Sequence, residues 1–410
     1  MTARLSLPRE RIRVLLLEAI HERAAQVFER AGYTAVERLD RTPSPDDLRA
    51  ALADAHVVGL RSRTQLDAAA LAHAPKLLAV GCFCIGTDQV ALDAAALRAV
   101  PVFNAPHSNT RSVAELVIGL AVMLFRDVFH KSAAAHAGHW LKTAAGCHEV
   151  RGKTIGIVGY GHIGSQVSVL AEAMGLHVVY HDIVPKLSLG NARALPTLDD
   201  VLAVADLVTL HVPETPETRG LFDAERLAKM RPGAYLVNAS RGSVVDVDAL
   251  AALLRTGRLG GAAVDVFPRE PKGAGEEFTS ALRGVPNAIL TPHVGGSTVE
   301  AQEAIAVEVA SKLVAYSDTG ATIGAVNFPE LSLAPHAGCQ RVLHVHENRP
   351  GVLRAINELF AARGVNVVGQ HLQTRGAIGY VALDVETGDA AELLPALREV
   401  PGTVRARVLY

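Results

Sequence analysis

A chain of 410 residues is longer than one hydrophobic core usually organises, so two or three domains are expected. With 49% hydrophobic and 20% charged residues and 35 glycines, it has the composition of a soluble globular protein, which excludes a fibrous or disordered one. Forty basic against 42 acidic residues leave a net charge of -2, so no global field gathers nucleic acid or an anionic membrane, and an anionic ligand must be met by a local cluster.

The N-terminus, "MTARLSLPRERIRVLLLEAI", interrupts its apolar run with Arg9, Glu10, Arg11 and Arg13. That suits neither a signal peptide nor a membrane span, and a cytoplasmic protein is expected. Apolar runs "RVLLLE", "VVGLRS" and "LLAVGC" then alternate with helical stretches, the βαβ rhythm of a parallel sheet. Cys82 and Cys84 lie in the apolar "LLAVGCFCIG" and read as structural thiols; their CxC spacing lacks a second pair, and no metal site is expected. "SVAELVIGLAVMLFR" predicts a long helix, opened by a Ser112–Glu115 capping box and linking two lobes.

From about Gly152 the strands "TIGIVGYG", "HVVYHD", "LVTLHVP", "AYLVNAS", "GAAVDVF" and "AILTPHV" predict a doubly wound nucleotide-binding fold. The amphipathic stretch after His293 is expected to return to the first lobe, which makes that lobe discontinuous. A linker, "FPELSLAPHAGC", precedes a final segment read as βαββαβ, the ferredoxin-like order, with a helix from Pro350 to Arg363. The expected fold is therefore α/β: two Rossmann-like doubly wound domains, the first discontinuous, and a small C-terminal domain.

"GIVGYGHIGSQ" places Gly159, Gly161 and Gly164 as G-x-G-x-x-G after an apolar strand and before a helical pattern. Glycines let a pyrophosphate approach the backbone, and a helix N-terminus offers free N–H groups to it. Asp182 ends the next strand about 20 residues on, where a carboxylate meets the ribose hydroxyls and repels a 2′-phosphate. The expected cofactor is NAD. Arg241, Glu270 and His293 each end a later predicted strand, on the side where open α/β sheets bind ligands. Glu270 would orient and charge the His293 imidazole, and Arg241 would fork onto a substrate carboxylate. Taken singly, each has an ordinary cap or ion-pair reading. "GLRSRTQ" offers Arg61, Ser62 and Arg63 on an extended stretch, with Asn109 as a further donor; exposed arginines in a solvated loop are the plain alternative.

With these motifs, and with "GCFCIGT", "FNAPHSNTRSVAELVIG", "TPHVGGST" and "HENRPGVL", the chain resembles the D-isomer-specific 2-hydroxyacid dehydrogenase family along its whole length. The match is to the branch with a C-terminal ACT domain that oxidises 3-phospho-D-glycerate to 3-phosphooxypyruvate at the head of L-serine synthesis. The resemblance implies a substrate-binding domain at 1–108 completed by 297–330, an NAD-binding domain at 109–296 and an ACT domain at 339–410. It implies His293 as general acid/base, Glu270 as its support, and substrate contacts from Arg241, Arg61 and Arg63. NAD contacts are implied for His162, Ile163, Ala239, Ser240, Asp265, Val294, Gly295 and Gly296; from its own context Asp265 could simply end its strand.

Trp140 and Lys142 are implied near a neighbouring subunit's active site, although Trp140 by itself reads as a packing anchor. A homotetramer is expected, and 2-oxoglutarate is a plausible side substrate. His346, Asn348 and Asn366 are expected to hold L-serine as an inhibitor at an interface between two ACT domains, with the helix beginning at Pro350 receiving its carboxylate. "HAGCQRVL" stands where relatives often have a Gly-Gly hinge and paired arginines, which puts the strength of regulation in question. Two other readings stay open, a dehydrogenase of a non-phosphorylated D-2-hydroxyacid and a non-enzymatic NADH-sensing binding protein.

Overall fold

The computed structural model describes residues 7–271, 275–335, 338–386 and 390–409. It divides into two compact units, Met1–Ser108 with Gln302–Tyr410, and Asn109–Ala301. In the first unit five parallel strands, β1 (Val14–Leu16), β2 (Val36–Arg38), β3 (Val57–Leu60), β4 (Ala79–Cys82) and β5 (Val102–Asn104), lie in the order β2-β1-β3-β4-β5. Every residue of β1, β3, β4 and β5 is buried, because a parallel sheet is covered on both faces. That double burial is why the sequence shows continuous apolar runs there. Strand β2 is at the sheet edge and reads Val-Glu-Arg, too short and polar to announce itself.

The helix Val299–Thr319 returns to this sheet as expected. Its Val309 and Leu313 fill the space beside Gly81, where a Cβ would meet both within 2.7 Å. The C-terminal segment of the same unit forms β13 (Gln340–Glu347), β14 (Val367–Arg375), β15 (Ile378–Val385) and β16 (Thr403–Leu409) once the strands of the other unit, β6 to β12, are counted. They make an antiparallel sheet in the order β14-β15-β13-β16, with helices Val352–Ala362 and Ala390–Glu399. The period of two along a strand sorts its side chains between two cores. Val342, Val381 and Leu383 face those two helices, whereas Leu343, Val345, Tyr380 and Ala382 join the core that holds Val309, Leu313 and Tyr316.

Arg341 ties the junction. Its guanidinium, almost wholly buried, makes paired hydrogen bonds to Asp384 at 2.6 and 2.8 Å and donates to the carbonyls of Thr319 and Ala334. Ala337, in the altered linker, lies outside the described residues.

In the second unit, seven parallel strands stand in the order β12-β11-β10-β9-β6-β7-β8. They are β6 (Thr154–Val158), β7 (His177–His181), β8 (Arg193–Ala194), β9 (Leu207–Leu210), β10 (Tyr235–Asn238), β11 (Gly261–Val264) and β12 (Ala288–Leu290). The two-residue β8 carries too little pattern to be read in advance. The long helix spans Thr110–Arg126 and lays Val113, Val117 and Leu120 against Ile155, Ile157 and Val237.

Two sequence expectations about helix starts are corrected. Ser112 and Glu115 form no capping box: the helix begins at Thr110, Ser112 shares a hydrogen bond with Thr298, and Glu115 pairs with Arg111. Nor does Pro350 open its helix. Gly351 intervenes at φ 94°, and the helix starts at Val352 without a side-chain cap.

Candidate active site

The order reversal in the second sheet falls between β6 and β9, and the two strand ends there shape a crevice. Each glycine after β6 does a different job. Gly159 has φ 90°, and a Cβ on it would press on the His211 carbonyl; Gly164 lets the helix His162–Ala173 close on the strand, since a Cβ there would collide with the Gly159 carbonyl oxygen. Gly161, by contrast, faces open space with no heavy atom within 4 Å of a Cβ position. That space, in front of a helix N-terminus, fits a pyrophosphate. Asp182 accepts the Tyr160 and Val184 amides at 2.8 and 2.9 Å, which fixes its carboxylate at the end of β7 beside the glycine loop.

His211, at the end of β9, was not singled out by the sequence. Its Nε2 pairs with Thr209, its Nδ1 is buried without a partner, and burial depresses its pKa to about 3. This neutral imidazole stands at the switch point, its orphaned ring nitrogen enclosed by the chain itself. The signal was present in "LVTLHVP", where a histidine follows a buried strand.

The ends of β10, β11 and β12 carry the remaining groups. Asn238 folds the first of them: its side chain accepts from the Ser240 amide and hydroxyl and donates to the Arg241 carbonyl. Gly242 presses so closely on the Phe267–Pro268 backbone that no Cβ could fit. Asp265 is buried, and its carboxylate accepts from the Thr291 hydroxyl at 2.6 Å and from the Val294 and Gly295 amides at 2.8 and 2.9 Å. Its carbonyl takes the His293 amide as well. Asp265 thus does more than end a strand, because it shapes the loop that presents the histidine. Gly295 and Gly296 serve the same packing. A Cβ on the first would crowd Asp265 and Val113, and one on the second would collide with Asn109.

His293 adopts φ 54°, the left-handed region that few residues other than glycine visit, histidine being with Asn and Asp among the more tolerant. Its Nδ1 meets Glu270 Oε2 at 2.8 Å, while the ring stays 53% exposed and Nε2 has no partner among the described residues. The Glu270 hydrogen bond outweighs burial and raises the imidazole pKa. For Glu270, burial works against the charged form, but the His293 bond, the Phe267 amide and the nearby Arg241 charge together hold its pKa below the ordinary value. A cavity of about 500 Å3 walled by Phe267, Phe278 and Leu290 adjoins the pair. The arrangement is an oriented, charge-supported imidazole with one ring nitrogen free for a proton, and a guanidinium nearby.

Other expected residues are placed as follows. Arg61, Ser62 and Arg63 belong to the first unit, and after Arg61 the chain bends over Ser62, Arg63 and Thr64 rather than running on extended. The bend is clamped by Glu18, also missed by sequence reasoning. Its buried carboxylate accepts the Arg63 and Thr64 amides at 3.1 and 2.6 Å. Asn109 is buried with Oδ1 unpartnered. Trp140 is no packing anchor within the chain: it is 85% exposed, on a stretch that also exposes Lys142.

In the C-terminal sheet His346 is a buried strand residue, Asn348 donates to the Gly376 carbonyl and Asn366 donates to Glu386. Gly376 and Glu386 flank opposite ends of β15, whose eight residues span roughly 27 Å. Asn348 and Asn366 of one chain therefore cannot hold the same small molecule. Among the described residues no group of three metal-ligating side chains occurs, and no helix is long and apolar enough to cross a membrane.

Residues 118–295 match the model of the D-isomer specific 2-hydroxyacid dehydrogenase NAD binding domain, and 342–405 match that of an AHAS small subunit-like ACT domain. Over 410 residues, all of both chains, the protein is 54% identical to D-3-phosphoglycerate dehydrogenase of Haemophilus influenzae and 52% identical to that of Escherichia coli K12. Among solved structures it resembles the D-lactate dehydrogenase of Aquifex aeolicus complexed with NAD and lactic acid, at TM-score 0.65 and 26% identity, covering 74% of this chain and 95% of that one. An NADPH-dependent glyoxylate/hydroxypyruvate reductase from Sinorhizobium meliloti aligns at TM-score 0.64 and 29% identity, over 77% of this chain and 97% of that one.

Proposed function

The chain belongs to the D-isomer-specific 2-hydroxyacid dehydrogenase family, and from that premise we propose that it is an NAD-dependent D-3-phosphoglycerate dehydrogenase. It converts 3-phospho-D-glycerate reversibly to 3-phosphooxypyruvate, the first step of L-serine biosynthesis. The observation that carries the reading is the His293–Glu270 pair at 2.8 Å in the unit that also holds the glycine loop after β6, in a chain that matches such dehydrogenases end to end.

NAD, when bound, supplies the hydride acceptor. The chain's own groups do the rest. Gly161 and the helix after it take the pyrophosphate, and Asp182 takes the ribose hydroxyls. Ile163, Ala239 and Val294 line the crevice. Arg241 forks onto the substrate carboxylate, while Arg61, Ser62, Arg63 and Asn109 recognise its other polar and anionic groups, with Lys142 contributed to a neighbouring subunit's site. In the oxidation direction His293 Nε2 removes the hydroxyl proton; in reduction it returns that proton to the carbonyl oxygen. Glu270 holds the ring in place and stabilises its charged form.

The decisive assay is NADH oxidation with 3-phosphooxypyruvate, compared with pyruvate and 2-oxoglutarate. Arg61→Ala and Arg63→Ala are each expected to weaken the phosphorylated substrate by about 1.5 to 3 kcal/mol, one charged hydrogen bond. Pyruvate should lose much less. Equal losses on both, or a preference for pyruvate in the unaltered chain, would favour a dehydrogenase of non-phosphorylated acids.

Glu270→Gln removes what raises the imidazole pKa, so the His293 pKa falls. Reduction requires the imidazolium and oxidation the neutral ring. The alkaline limit of reduction and the acid limit of oxidation should therefore both move to lower pH. Identical pH profiles would leave Glu270 with a structural part only.

The ACT domain marks an amino-acid effector, and L-serine, the pathway's end product, is the one proposed. Because Asn348 and Asn366 stand at opposite ends of β15, a shared serine site needs a second copy. The exposed edge strand β14, paired on one side only, is where that copy would add, within a homotetramer. Asn348→Ala is expected to raise the serine concentration for half-inhibition with little change in uninhibited turnover. Unaltered serine sensitivity would move the site elsewhere.

A further inference from the structure

Within the first unit, a cavity of about 450 Å3 opens between β16 of the C-terminal sheet and the turns that lead into β3 and β4. Four of its ten lining residues are cationic, Lys76, Arg398, Arg405 and Arg407, and none is a carboxylate. Arg405 and Arg407 are two apart on one strand, so both project from the same face of the sheet. Arg405 is anchored through Nη1 to the Leu77 carbonyl at 2.6 Å. The Arg407 guanidinium lies 5.6 Å over the Tyr316 ring, yet its Nη1 is buried with no hydrogen-bond acceptor. The nearest acid with a recorded partner in the cluster, Asp54, is already engaged by Lys76 at 2.5 Å and Arg13 at 3.5 Å.

His56 adds a neutral donor. Its Nδ1 accepts the Arg13 amide, which leaves the ring proton on Nε2. Burial, with Lys76 close by, lowers the pKa of this imidazole.

Two guanidiniums held on one face beside Lys76 and Arg398 repel each other, and a compact oxyanion in the cleft would offset that repulsion. We propose that this cleft binds a small anion carrying two or more negative charges, a phosphate ester or polycarboxylate, separately from the substrate site. One wall belongs to the regulatory sheet and the other to the substrate-binding lobe, so the bound anion bridges them. The arginine fork suits closely spaced oxygens better than a single chloride.

The test uses the full-length protein in an Arg61→Ala/Arg63→Ala background, which removes the anion grip proposed for the substrate. Calorimetry with pyrophosphate and with citrate, at constant ionic strength set by sodium chloride, should give saturable binding of one anion per chain and a higher Tm. Arg405→Gln/Arg407→Gln should weaken that binding by at least about tenfold, as expected for lost charged hydrogen bonds. In the otherwise unaltered chain the same pair should leave KM for 3-phosphooxypyruvate unchanged. Should the double variant fold poorly, the exposed Lys76→Gln/Arg398→Gln pair reads the same loss without touching a buried group. Saturation by pyrophosphate alone identifies a phosphate-bearing ligand, and by citrate alone a polycarboxylate. The proposal is overturned if sodium chloride reproduces the titration, or if both variant pairs bind as tightly as the parent.

Discussion

His293→Ala is expected to lower turnover by about 10²- to 10⁴-fold in both directions, the usual worth of a general acid/base, while NADH affinity stays nearly unchanged. The expectation follows from the geometry at each ring nitrogen. Nδ1 is committed to Glu270, and Nε2 has no partner among the described residues, so the proton-transfer function rests on one atom. The backbone adds a complication, because φ 54° is unfavourable for alanine. His293→Asn is the companion variant, since asparagine tolerates the left-handed region and keeps the loop. Both variants should lose activity alike, and the asparagine form should keep the parent Tm. Half the parental kcat in either would remove the imidazole from the mechanism.

Gly161→Val and Gly164→Ala should fail in different ways. At Gly161, φ is -82° and a Cβ meets nothing within 4 Å, so valine should fold normally and keep Tm. It would occupy the space expected for the pyrophosphate. Losing even two charge-assisted hydrogen bonds, at about 1.5 kcal/mol or more each, weakens NADH binding by roughly 100-fold or more. At Gly164 a Cβ collides with the Gly159 carbonyl, so alanine should destabilise by about 1 to 3 kcal/mol, as overpacked sites do. Fluorescence titration with NADH together with thermal unfolding separates the two outcomes. If Gly161→Val bound NADH as the parent does, the loop would not be the pyrophosphate site.

Much of this protein was legible in one dimension. The periods of two and 3.6 revealed the long strands and helices, the G-x-G-x-x-G spacing marked the turn from β6 into its helix, and Arg241, Glu270 and His293 lie in loops that follow recognisable strands. These signals are local, set by backbone geometry and by which neighbouring residues are apolar. Strands β2 and β8 were invisible because an exposed or two-residue strand carries no such period. The capping box expected at Ser112 failed for a related reason: a hydroxyl has several acceptable partners, and the fold gave it Thr298, 186 residues away.

Tertiary structure alone decided who satisfies the buried polar groups. Glu18 clamps the Arg63 amide across 45 residues, Asp265 holds the Gly295 amide across 30, and the third glycine and Gly242 are required by backbones that meet only after folding. It also sorted alternate residues of β13 and β15 between two cores, and so fastened the C-terminal sheet to the rest of the first unit through Tyr380 and Arg341. The physical reason is that a sequence displays which groups must leave water. Their partners, which determine whether burial is affordable, are chosen by three-dimensional proximity, on which sequence spacing has no hold.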